Sequence, residues 1–111
     1  MKTALEIVCS GLSGTDSKVM VIGAYALQAY DVVRQTMDVD CLVVDEEEGV
    51  LGAVLLEAGY REEQRTESFI RYSHPSLWLM DVDVMTVNRE TFEKMFSQSR
   101  PYEIQSLRAR V

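Results

Sequence analysis

Residues 21–44 read VIGAYALQAYDVVRQTMDVDCLVV, and the fold turns on how this stretch is parsed. Its first residues end a short apolar run, residues 18–22, in which Val19, Val21 and Ile22 read as a buried strand. Gly23 follows directly and suits a tight turn. Residues 24–30 are good helix formers and read as a helix. The stretch closes on Asp38, Val39, Asp40, Cys41, Leu42, Val43 and Val44, a second strand rich in valine that opens on two carboxylates.

Upstream, Leu5, Val8 and Leu12 recur at helical spacing, with Gly11 and Gly14 marking the end of that helix. Downstream, Glu46, Glu47 and Glu48 open a helix where acids suit the positive end of the helix dipole. Its body carries Val50, Leu51, Val54, Leu55 and Ala58, and Gly59 is placed to cap its C-terminus. Residues 61–67 are a polar stretch, residues 69–72 a short strand, residues 73–76 a turn and residues 77–87 a longer strand. Asn88 caps a helix whose apolar face is Phe92, Met95 and Phe96, and residues 102–111 read as a last strand. Helices and strands interleave, with a hairpin in the middle, which predicts an α+β (α/β) domain: a mixed sheet with helices packed on it. The expectation is one domain over residues 1–111; because the chain stops within an apparent strand, a piece of a longer protein stands as an open reading.

The chain has 111 residues, 47% of them hydrophobic, enough for a core without disulfides or a structural metal. The formal charge of -7 argues against a basic nucleic-acid coat, while leaving room for a cation site. Cys9 and Cys41 lie in apolar stretches and read as reduced, buried thiols. No apolar run approaches the roughly 18 residues of a membrane span. Lys2 is followed by a short mixed segment containing Glu6, unlike a signal peptide, so a soluble, cytoplasmic protein without a membrane partner is expected. His74, the one histidine, precedes Pro75 and reads as a solvent-facing loop residue; with no close cysteine pair, a zinc site is disfavoured. No serine–histidine–aspartate arrangement and no Walker-type phosphate loop is present.

The chemical signal is a repeated tripeptide, Asp38-Val39-Asp40 and Asp81-Val82-Asp83. Side chains two apart on a strand share a face, with Cα atoms about 7 Å apart, so each tripeptide displays a pair of carboxylates. In the later strand Asp81 and Asp83 share their row with Leu79 and Met85, and the other row is Met80, Val82 and Val84, so both faces look covered. Carboxylates in such surroundings are costly unless paired, protonated or bound to metal. If the two strands are neighbours, up to four carboxylates converge, and they stay ionised together only beside a cation. Mg²⁺ takes oxygen ligands and retains waters and phosphate oxygens, which leads from these residues toward phosphoryl chemistry. A solvated edge or turn remains the plainer explanation of any one such tripeptide.

Taken together, Gly23, Arg34, Thr36, Asp38 and Asp40 resemble the signature of the minimal nucleotidyltransferases of the DNA polymerase β-like superfamily, including the abortive-infection toxin type. In that signature a strand ends in Gly-Gly or Gly-Ser, a helix follows, and Arg-x-Thr-x-Asp-hydrophobic-Asp opens the next strand. Leu55 to Tyr60 and the run from Val82 to Met85 followed by Glu90-Thr91-Phe92-Glu93 are also similar to this group, and the likeness covers residues 18–97. It departs at Ala24, where a glycine or serine is usual, and at Asp31, where a small turn residue is common. Family members tend to continue with further helices after a segment like residues 102–111.

The resemblance implies a nucleotidyltransferase that moves a nucleoside monophosphate from an NTP, ATP first among them, to an acceptor hydroxyl. Asp38 and Asp40 would hold one or two Mg²⁺ or Mn²⁺ ions. Asp83, with Asp81 as close competitor, would supply the third carboxylate and act as base toward the acceptor. Gly23 and Ala24 would offer backbone N–H groups to the phosphates. Arg34 would orient the metal loop or neutralise charge, or else pair with Asp31 at the surface. Thr36 would act on the phosphates or only steady the turn. The acceptor is open among RNA, a protein and a small molecule, and a partner protein or a homodimer is also open. The competing expectation is a degenerate, non-catalytic nucleotide-binding or protein-interaction module of the same fold. A receiver-like phosphorylated domain is weaker, because residues 18–22 end on no acid.

Overall fold

The computed structural model describes residues 3–22, 38–76, 78–99, 101–104 and 107–110. Helix α1, Ala4–Leu12, begins with a capping box: the Glu6 N–H donates to Thr3 Oγ1 at 3.2 Å and the Thr3 N–H to Glu6 Oε1 at 3.4 Å. Strands β1 (Met20–Ile22) and β2 (Asp38–Val44) follow in the places expected from the sequence. A short 3-10 turn, Asp45–Glu47, leads into helix α2, Glu48–Glu57. Strands β3 (Arg61–Arg65), β4 (Phe69–Ser73) and β5 (Asp81–Val87) precede helix α3, Arg89–Gln98. The Asn88 side chain caps α3, accepting from the Thr91 N–H at 2.7 Å. The helix expected over residues 24–30 lies outside the described residues.

Three secondary-structure expectations change. Residues 61–65 form a fully exposed strand rather than a plain polar stretch. Every side chain of β3 is polar, so no local alternation marks it; pairing with β4 at the sheet edge creates it. The strand expected over residues 77–87 begins only at Asp81, and Trp78 and Leu79 lie in a turn and a bend. The last segment is two strands, β6 (Pro101–Ile104) and β7 (Leu107–Arg110), paired as a separate antiparallel hairpin.

The main sheet has the order β1-β2-β5-β4-β3. Only β2 and β5 run parallel; the other neighbours are antiparallel. This is the α+β mixed sheet with helices packed on it that the alternation of elements implied. One face carries the larger core, where Val39, Cys41, Val43, Val82, Val84, Ile70 and Tyr72 meet Leu5 and Val8 of α1 and Leu51 and Leu55 of α2. The opposite face has a smaller apolar patch, where Met20, Leu42 and Val44 meet Phe92 of α3. Side chains alternate along a strand, so Asp38 and Asp40 share that second face with Leu42 and Val44. Asp81 and Asp83 likewise lie opposite the buried Val82 and Val84. The acids thus sit on the less covered face, at the end of β2 away from Phe92. Among the described residues no helix is long and apolar enough to cross a membrane.

The end of α2 is tied to the start of β5. The Tyr60 N–H reaches back to the Leu55 carbonyl at 2.9 Å and the Gly59 N–H to that of Leu56 at 3.1 Å, a Schellman closure with Gly59 at φ 98°. The buried Tyr60 then donates its hydroxyl to the Met80 carbonyl at 2.8 Å, directly before Asp81. His74 is a correction to its expected solvent-facing role. It is half-buried and edge-on to Tyr60, with Nδ1 accepting the Ser76 N–H at 3.0 Å and Nε2 placed 3.1 Å from the Ala58 carbonyl. A loop histidine here closes a helix end. Cys41 is buried and Cys9 half-buried; both are free thiols, and burial raises the pKa of each.

A Cβ on Gly59 would lie 2.8 Å from His74 Nε2, at a backbone angle that side chains disfavour. Gly59→Ala is therefore expected to destabilise the protein by about 1–2 kcal/mol in urea unfolding followed by circular dichroism. Gly49→Ala, where a Cβ meets nothing within 4 Å in the first turn of α2, should be neutral or stabilise by up to about 1 kcal/mol. Equal effects at the two positions would contradict the closure described.

Candidate functional site

The parallel pairing of β2 with β5 is in register at the acids: Asp38 stands beside Asp81 and Asp40 beside Asp83. Neighbouring strands lie about 4.8 Å apart, so four carboxylates form a compact square on one face. The apolar residues between them explain why the strands pair there. Val39 and Val82 are neighbours in the same register and are both fully buried on the other face, which fixes the side to which the acids point.

Asp83 is the buried member, its side chain 7% exposed. Its counter-charge comes from β4, where Arg71 pairs with Asp83 across the antiparallel ladder. Arg71 Nε donates to Asp83 Oδ1 at 2.8 Å and Nη2 to Oδ2 at 3.0 Å, a two-pronged, charge-assisted contact. The same guanidinium stands 3.8 Å from Asp38 and 3.9 Å from Asp81. Its own pKa is raised, first by the hydrogen bond to Asp83. Removing one partner of a fully buried pair costs roughly 3–5 kcal/mol; solvent access to Arg71 lowers that figure here.

Ionisation of Asp40 is disfavoured by its surroundings. Its pKa is raised, first by burial, then by the charge of Asp83 and a hydrogen bond shared with it, with Asp38 adding and Arg71 opposing. Asp81 is raised as well, again first by burial, with Arg71 opposing.

These are oxygen donors only, the chemistry a hard divalent cation takes. Asp38, Asp40 and Asp83 would hold such an ion between neighbouring strands, and Asp81 flanks them. Among the described residues, however, no three acidic, cysteine or histidine side chains close on one point. The Arg71 guanidinium instead lies within 4 Å of Asp38, Asp81 and Asp83. The donor set fits a metal; the arrangement seen is one in which arginine does the neutralising.

The structure thus brings together the acids singled out from the sequence, Asp38, Asp40, Asp81 and Asp83. Gly23, Ala24, Arg34 and Thr36 lie outside the described residues. Sequence reasoning missed Arg71. Its signal was its position: a lone cation between Ile70 and Tyr72, in a strand joined by a turn to the one bearing Asp81 and Asp83. A separate cavity of about 370 Å³ lies beside Val44, Phe92 and Phe96, at the other end of β2, and none of the four acids lines it.

The Asp40 shift fixes the sign of a pH effect. A carboxyl with a raised folded pKa contributes stability that is present below the unfolded value, about 3.9, and is lost as pH rises through the folded value. In the presence of a chelator, Asp40→Asn should therefore melt above the wild type at pH 7, with the difference shrinking toward pH 3. A melting-temperature difference independent of pH would show that Asp40 carries no such strain.

No protein-family model matches the chain, and no curated protein sequence is similar to it. Similarity appears with solved structures. ANT(2″)-Ia in complex with adenylyl-2″-tobramycin superposes with a TM-score of 0.64 at 17% identity, over 74% of this chain and 47% of that one. The chain thus spans about half the length of that protein. The lincosamide antibiotic adenylyltransferase LnuA, lincomycin-bound, gives a TM-score of 0.72 at 11% identity, over 96% of this chain and 77% of the other. Terminal uridylyl transferase 4 from Trypanosoma brucei with bound GTP gives 0.51 at 17% identity, over 78% and 29% of the two chains. At these identities the likeness is one of fold: the chain shares the fold of these solved structures.

Proposed function

We propose that the protein is a metal-dependent nucleotidyltransferase that moves a nucleoside monophosphate from an NTP to an acceptor hydroxyl. The single observation that carries this reading is the register of β2 on β5, which sets Asp38 and Asp40 beside Asp81 and Asp83 on one face. The solved neighbours support it, since one holds an adenylylated antibiotic, one is an adenylyltransferase and one is a uridylyltransferase with GTP bound. Mg²⁺ or Mn²⁺ is the proposed ion and ATP the first nucleotide to try. RNA, a protein and a small molecule such as an antibiotic all offer the required hydroxyl.

In this mechanism Asp38 and Asp40 would hold the ion, at the oxygen donors that β2 presents. A bound divalent ion would supply charge neutralisation at the attacking and leaving oxygens of an in-line displacement. The acceptor oxygen attacks the α-phosphorus, the bond from that phosphorus to the bridging oxygen breaks, and pyrophosphate leaves with the bonding electrons. The acceptor proton passes to a carboxylate. Asp83 was the expected base, but both its oxygens accept from Arg71 in this structure. The backbone N–H groups of Gly23 and Ala24, with Arg34 and Thr36, are proposed to meet the phosphates.

Calorimetric titration of ATP with Mg²⁺ or Mn²⁺ tests the proposal. Wild type should bind only with metal, and Asp38→Asn and Asp40→Asn should each lose that binding, by more than about tenfold, while keeping a native circular dichroism spectrum. Full retention of binding in both variants would sink the assignment. Absence of nucleotide binding in the wild type would favour the non-catalytic module of the same fold.

A further inference from the structure

Arg71 and a divalent ion make competing claims on Asp83. We propose that Arg71 is a resident counter-ion which the metal must displace, so that metal binding at this site is an exchange of one cation for another. This rests on the metal-dependent function proposed above.

The contact geometry is the first support. Both carboxylate oxygens of Asp83, the most buried of the four acids, accept from the guanidinium at 2.8 and 3.0 Å. Charge is the second. The guanidinium lies within 4 Å of Asp38 and Asp81 as well. An ion shared by Asp38, Asp40 and Asp83 would therefore sit against a fixed positive charge, and the two cations repel. Exposure is the third. The Arg71 side chain is 35% exposed, on a long flexible stem, so it has a route to solvent; Asp83, at 7%, stays in place. Arg71 thereby sets how tightly the acids take a metal and keeps Asp83 compensated when none is bound. It is a positioning residue, acting through Asp83.

The test titrates Mn²⁺ alone, by calorimetry, into the full chain as wild type, Arg71→Lys and Arg71→Gln. Lysine keeps the charge but cannot span both oxygens, and glutamine removes the charge. Mn²⁺ affinity should rise in the order wild type, Arg71→Lys, Arg71→Gln, with at least about a fivefold gain for the last. A residue that merely holds the sheet together would not raise metal affinity when replaced. If Arg71→Gln fails to fold, Arg71→Lys and the wild type still decide the matter. In isotope-labelled wild type, saturating Mg²⁺ should move the Arg71 Nε–H resonance off its hydrogen-bonded position. Equal or weaker Mn²⁺ binding by a folded variant, or an unmoved Arg71 resonance at saturating Mg²⁺, overturns the exchange while leaving the metal function standing. No Mn²⁺ binding by any of the three proteins removes the metal function itself, and the exchange with it.

Discussion

The in-register parallel pairing of β2 and β5 places like charges side by side, and much of the surrounding structure answers that placement. Parallel pairing sets Asp38 against Asp81 and Asp40 against Asp83 with no residue of opposite charge on either strand. What drives the strands together is on their other face, where Val39, Cys41, Val82 and Val84 are essentially excluded from water. The apolar face holds the pairing, and the acidic face bears its electrostatic strain.

Relief of that strain comes from the next strand. Arg71 reaches across the ladder to Asp83 and lies near two of the other acids. It converts a repulsive cluster into a compensated one, yet Asp40 and Asp81 still have raised pKa values. Around it the scaffold is firm. The Gly59 closure, the edge-on pair of Tyr60 and His74, and the Tyr60 hydroxyl bond to Met80 together fix the point at which β5 starts, and so the height of Asp81 and Asp83 along the sheet.

The solved neighbours share this fold at 11 to 17% identity while their printed ligands differ: adenylyl-2″-tobramycin, lincomycin and GTP. One fold thus carries chemically different bound ligands, and fold alone does not name the ligand.

Much was legible in the linear sequence. The valine-rich run after Asp40, the helical spacing of Leu5, Val8 and Leu12, the Asn88 cap and the Gly59 terminus are local signals, and each element formed where its own residues placed it. The two Asp-Val-Asp tripeptides marked the candidate acids for the same reason, since alternation on a strand is a property of neighbours in sequence. Other features depend on contacts between distant segments. Strand β3 has no apolar pattern and exists through pairing with β4, His74 takes its role from a helix end sixteen residues away, and the last strand divides into a hairpin. The register that gathers four acids, and the choice of Arg71 as their counter-charge, were set by which strands lie side by side. Sequence by itself determined which residues carry charge and which face of a strand they occupy; tertiary structure alone decided which charges meet, because that depends on strand order and register, which no local propensity encodes.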